Sequence, residues 1–148
     1  MSKRETSYAM TERSPFFQAA GAAAMAELLR PSFTQLLPKG TVLFGQGEEP
    51  EFLHLLLEGS VGLQAKGVGG GTTVVEIFGG GEVFLAPAVI LRLPYLATAA
   101  ALTEIRVLMI PAEHFRDNLP RSFELSRACN ELLSRHWRLM VDQVVDLK

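Results

Sequence analysis

FTQLLPKGTVLFGQGEEPEFLHLLLEGSVGLQAKGVGGGTTVVEIFGGGEVF runs from Phe33 to Phe84. Short runs of Val, Leu, Ile and Phe alternate here with Pro-Lys-Gly, Gly-Gln-Gly-Glu-Glu-Pro, Glu-Gly-Ser and a glycine tract. Strands of this length, separated by turn residues at this spacing, predict an antiparallel sandwich or roll. HLLLEGSVGLQA reads as two strands joined at Glu58-Gly59, and GVGGGTT as a hairpin tip where glycine takes positive φ without steric cost. LATAAAL and IRVLMI add two further strands.

Outside this stretch the period changes. Residues 1–13 are polar and read as a flexible tail. Ser14 and Pro15 have the order of an N-cap and a first helical residue, and the helix they open should end before Pro31. Pro111 opens a short helix, and residues 120–148 form a last segment free of Pro and Gly after its first residue. As a helix it would extend roughly 40 Å. Asn130, Leu133, Trp137, Met140, Val144 and Leu147 follow one another at steps of three and four, which is an a/d seam; Leu125, Cys129, Leu132 and Leu139 make a second stripe. One stripe would pack on the roll and the other on a second copy. The division expected is a tail (1–13), a sensor roll with short helices (14–119) and a dimerisation helix (120–148).

Composition narrows the function. The 148 residues are 48% hydrophobic and 20% charged, with a net charge of -2. That is a folded domain without the basic surplus that grips a nucleic-acid backbone. A single cysteine, Cys129, excludes an intrachain disulfide and a Cys-only metal or iron–sulfur site, and suits a reducing cytoplasm. No apolar run reaches the roughly 18 residues needed to span a bilayer, so no membrane partner is expected. Enzymatic chemistry finds little support. The three histidines, His54, His114 and His136, are far apart and no His-x-His pair occurs. Cys129 and His136 sit about two helical turns apart, too far to act as nucleophile and base. Glu48, Glu49 and Glu51 cluster in a predicted turn and read as a solvated loop.

The ordered set LPKGTVLFGQGE, LLLEGSV, GGGEVF and VLMIPAEHFRDNL, followed by the long helix, resembles the effector-binding domain of cAMP-receptor-type and fumarate-nitrate-regulator-type bacterial transcription factors. The resemblance implies a β-roll, a jelly-roll-like double-stranded β-helix with flanking helices, and a long C-terminal helix that pairs in a homodimer. It also implies a small-molecule effector. In members that bind cyclic nucleotides, a Gly-Glu pair contacts the ribose and an Arg-Ser or Arg-Thr clamps the phosphate. Those places fall near Leu85 and Ala86, and near Tyr95 and Leu96, and all four differ. A buried phosphate needs a cation, so a cyclic nucleotide is the less favoured effector. Arg92 is the one cation nearby and would serve only if the loop were realigned by three residues.

The wall expected of the effector pocket is Phe84, Leu85, Ile90, Tyr95 and Leu96, with Arg92 beside it. LPYLATAAAL looks more like the haem-binding, nitric-oxide-sensing branch, whose pocket lies between roll and long helix. Haem needs an axial ligand, and His54 or His136 would supply it. Two other readings stay open: a cyclic-nucleotide sensor with an unusual pocket, and a ligand-free dimeric interaction module. Family members continue into a winged helix-turn-helix that reads DNA, and no such pattern follows Val144 here. The sequence is read as the sensor half of a longer regulator, with a free-standing module as the other option.

Overall fold

The computed structural model describes residues 3–84 and 86–146. Three helices come first: α1 (Lys3–Glu12), α2 (Pro15–Ala20) and α3 (Ala22–Leu29). Then follow β1 (Phe33–Leu37), β2 (Val42–Phe44), β3 (Phe52–Glu58), β4 (Val61–Lys66), β5 (Thr72–Phe78) and β6 (Val83–Phe84). After β6 come α4 (Ala86–Leu91), β7 (Thr98–Ala101), β8 (Ile105–Pro111), α5 (Ala112–Asn118), a 3-10 turn (Leu119–Arg121) and α6 (Phe123–Asp146). Two four-stranded antiparallel sheets result, in the orders β1-β8-β3-β6 and β2-β7-β4-β5. This is the roll the turn spacing predicted.

Strand β3 is buried on both faces, which explains why it reads as an almost unbroken apolar run. Leu53, Leu55 and Leu57 face a core shared with the helices, built on Phe17, Leu28, Phe115 and Leu125. Leu56 belongs to the core between the sheets, with Phe44, Leu63, Phe78, Phe84, Ile105 and Val107. Side chains alternate along a strand, so a strand between two layers needs apolar residues at both parities.

The chain passes from one sheet to the other at Glu58-Gly59-Ser60. Gly59 has φ +95°, and a Cβ there would clash with the Glu104 carbonyl oxygen. Only glycine fits both the conformation and the space.

Several local expectations change. Residues 3–12, read as part of a loose tail, form α1, in which Ser7 and Thr11 are buried. The helix expected before Pro31 is two helices, broken at Gly21, where φ is +88°. Ser14 stands at the N-cap of α2, but its hydroxyl donates to the Gly81 carbonyl oxygen at 3.1 Å and ties α2 to the β5–β6 turn. The long helix begins at Phe123 rather than Pro120. Ser122 caps it, its Oγ accepting the Leu125 N–H at 3.1 Å. At 24 residues α6 is about 36 Å long. No helix among the described residues is long and apolar enough to cross a membrane.

Candidate functional site

Helix α6 is docked at one end and open at the other. Leu125, Ala128 and Cys129 are buried against the helical core, where Phe16, Phe17 and Ala20 of α2 also lie. Burial pushes the Cys129 thiol up to about 12, so it is a packed apolar side chain rather than a nucleophile. Further along, the helix stands off the roll and leaves a groove of about 300 Å³. Pro15, Phe16 and Ala19 of α2 line it, with Phe78 of β5, the Gly81–Val83 turn, Ala86 and Pro87 at the start of α4, and Leu132, Leu133 and Leu139 of α6.

The polar groups in the groove are few. His136 of α6 places Nε2 at 2.7 and 3.0 Å from the two carboxylate oxygens of Glu76 on β5. Its ring also stacks over Phe78 with centroids 6.4 Å apart. Glu82, Glu131 and Arg135 complete the polar lining. The arrangement clasps the free part of α6 to the edge strand of the second sheet across an apolar slot. Sequence reasoning missed Glu76. Its one signal is a lone carboxylate in VVEIF, on the same strand face as the buried Phe78.

The expected pocket wall is not gathered there. Phe84 and Tyr95 lie inside the roll, 1% and 3% exposed. Tyr95 stacks on Phe44 with ring centroids 3.7 Å apart, and its hydroxyl donates to the Phe52 carbonyl oxygen at 3.0 Å. Burial raises its pKa, with Glu48 and then Glu51 adding to the rise. Leu96 is 85% exposed, which corrects its place in a pocket wall. Arg92 is exposed at a turn with φ +57° and clamps nothing. Ile90 packs on the helical core. Leu85 lies outside the described residues. The reason for the split is local: Pro94 and Tyr95 end an exposed turn, and side chains from Tyr95 onward alternate in and out of the roll.

The histidines also separate. His54 points into the roll between Phe44 and Phe84, at ring centroid distances of 5.3 and 5.5 Å, and is 3% exposed. Burial lowers its pKa to about 4, against a partial lift from the Phe52 carbonyl, so the ring is neutral at pH 7. It does not line the groove beside α6. His114 meets the Glu27 carbonyl oxygen at 2.7 Å and joins α5 to α3. Of the seam residues, Trp137 is 66% and Val144 56% exposed. Asn130 is exposed, Leu133 and Met140 are half-buried, and Leu147 lies outside the described residues.

With this geometry in view, comparison with known proteins is specific. The family model of the cyclic nucleotide-binding domain matches residues 34–122. A CRP-like cAMP-activated global transcriptional regulator of Mycobacterium tuberculosis is 23% identical over 135 residues, covering 91% of this chain and 60% of the relative. The chain thus spans well under two thirds of that relative's length. The catabolite activator protein of Thermus thermophilus superposes with a TM-score of 0.76 at 25% identity, over 90% of this chain and 62% of that one. The sensor domain of the transcriptional regulator DNR from Pseudomonas aeruginosa shares the fold, with a TM-score of 0.77 at 22% identity, over 96% of this chain and 95% of that one. The chain belongs to the cyclic nucleotide-binding domain family.

Proposed function

We propose that this domain senses an apolar effector in the groove between the roll and α6, and that it works as a homodimer through the exposed seam of that helix. The observation that carries the reading is Tyr95. The resemblance puts it near the place of the family's phosphate-clamping arginine, and it is buried, stacked on Phe44 and already hydrogen-bonded. A neutral hydroxyl committed to a carbonyl does not replace a bidentate guanidinium. The cation nearest in sequence, Arg92, faces solvent. A cyclic phosphate inside the roll would be buried without a counter-charge.

The groove suits an effector whose arrival is felt by α6, because one wall is the helix itself. Filling it changes the contacts that hold the helix to β5, and so shifts the population of helix arrangements. In a longer regulator that shift would reposition DNA-binding domains attached beyond α6.

Haem fits the donor set here through one residue. His136 would hold the iron, Arg135 would meet a carboxylate of the group, and the leucines of α6 with Phe78 and Pro87 would form the apolar walls. With Nε2 held by Glu76, Nδ1 is the nitrogen left for iron, and the carboxylate would fix the ring's orientation. The iron would supply a site for a diatomic gas. His54 does not fit this role, since it lies between aromatic rings inside the roll.

The test is an absorption titration with haemin, with and without nitric oxide, beside calorimetry with cAMP. A Soret shift saturating at one haem per chain, lost in His136→Ala and kept in His54→Ala, is the expected result for haem. A flat haemin titration leaves a smaller apolar effector. Saturable cAMP binding at sub-millimolar concentration overturns the reading of Tyr95 and restores a cyclic-nucleotide sensor.

A further inference from the structure

A second cavity, of about 410 Å³, shares no lining residue with the groove beside α6. It collects two kinds of side chain. Phe44, Phe52 and Tyr95 supply aromatic walls, and Glu48, Glu49 and Glu51 supply carboxylates. None of the three carboxylates takes part in an ion pair among the described residues. A mobile loop would let like charges spread apart. This one is pinned. The Gly47 N–H donates to the Tyr95 carbonyl at 2.8 Å, the Tyr95 N–H donates to the Glu48 carbonyl at 2.9 Å, and the Ala112 N–H donates to the Glu51 carbonyl at 2.9 Å. The backbone therefore holds the three acidic residues around one opening.

A cluster of glutamates on a turn is usually no more than a solvated edge. The independent observation is His54. It lines the same cavity, is 3% exposed, and its Nε2 has no hydrogen-bond partner. A buried polar nitrogen without a partner is uncommon and costs free energy. The ring is neutral at pH 7, so it places no positive charge behind the acidic opening. The influence of Glu48 and Glu51 also reaches Tyr95, where both oppose ionisation of the phenol.

We propose that this cavity binds a small organic cation, an arylalkyl- or alkylammonium, with its charge toward Glu48, Glu49 and Glu51 and its body against Phe44, Phe52 and Tyr95. Aromatic faces and carboxylates are both complementary to an ammonium group. A metal ion is the poorer occupant. It needs several ligands converging at once, and among the described residues no group of three His, Cys, Asp or Glu side chains is placed to hold one. The site is independent of whatever fills the groove beside α6.

The probe is phenethylammonium chloride, titrated at pH 7 into the whole 148-residue chain and followed by amide and histidine-ring NMR. The expected result is saturable shifts at Gly47, Glu48, Phe52 and His54. The Glu48→Gln/Glu51→Gln double variant should bind about fivefold more weakly or worse, with its melting temperature unchanged because both side chains are exposed. Glu49→Gln should give a smaller loss in the same direction, and Glu131→Gln, in the other groove, none. The proposal fails if 2-phenylethanol or 3-phenylpropanoate binds as tightly as the ammonium. It fails equally if the double variant keeps full affinity, if the shifts fall only on β5 and α6, or if calcium chloride alone produces the same saturating shifts.

Discussion

Tyr95 and His54 sit on the same aromatic stack inside the roll, joined through Phe44, and both are held neutral by burial. For His54 this makes stability depend on pH in a definite direction. Above pH 6.5 the ring is neutral in both folded and unfolded chains, and contributes nothing to the slope. As pH falls below 6.5 the unfolded chain takes up a proton that the native ring refuses, so stability drops. The loss stops near pH 4, where the native ring also titrates. Its full size is about 3 kcal/mol. Urea unfolding of wild type and His54→Phe between pH 7 and pH 4 should diverge by this amount, the variant being the flatter; parallel curves would remove the buried-neutral assignment. Gly59 gives a second prediction at this scale. Gly59→Ala combines a left-handed φ with a clash against the Glu104 carbonyl oxygen. It should cost about 2 kcal/mol or more, seen as a fall in the urea midpoint.

Among elements, α6 divides into a docked half and a projecting half. Leu125 is fully buried at the docked end, and Leu125→Ala should destabilise the domain by about 3 kcal/mol. Cys129, one turn on, should resist a thiol-reactive disulfide reagent in the native state and react only on unfolding. The projecting half carries Trp137, Val141, Val144 and Val145 in the open, more apolar surface than a helix leaves to water without a partner. If the proposed homodimer forms through this seam, Trp137→Glu should convert it to monomer in analytical ultracentrifugation while the melting temperature of the roll stays near that of wild type. A dimer that persists would move the interface elsewhere.

At the scale of the molecule, the groove is the place where three separate parts meet: α2 from the start of the chain, β5 from its middle and α6 from its end. An effector bound there, as proposed, would act as a wedge shared by all three. Hydrogen exchange should show its arrival as joint protection of amides in α2, β5 and the second half of α6. Protection confined to one of these elements would mean that the ligand sits on a surface and is not coupled to the helix. Phe78 and His136, stacked across the groove, are the contact through which such coupling would run.

Much of the architecture was legible in the sequence because its causes are local. Turn residues at short intervals set the strands, and the break-free segment after Pro120 announced the long helix. Gly59 marked the join of two strands because its conformation is a property of one residue and its two neighbours, whereas only the fold showed that the join crosses between sheets. What the sequence left open depended on contacts between distant residues. The clasp of His136 on Glu76 spans 60 positions, and no periodicity links a carboxylate in an edge strand to an imidazole on a helix. Tyr95 and Leu96 are adjacent in sequence and alike in character, yet one fills the roll and the other faces water, because the pleat sends neighbours to opposite sides. Glu48, Glu49 and Glu51 read as an ordinary acidic turn until the fold set them over His54. Local propensity and pattern determined the elements; only packing decided which of their side chains share a cavity.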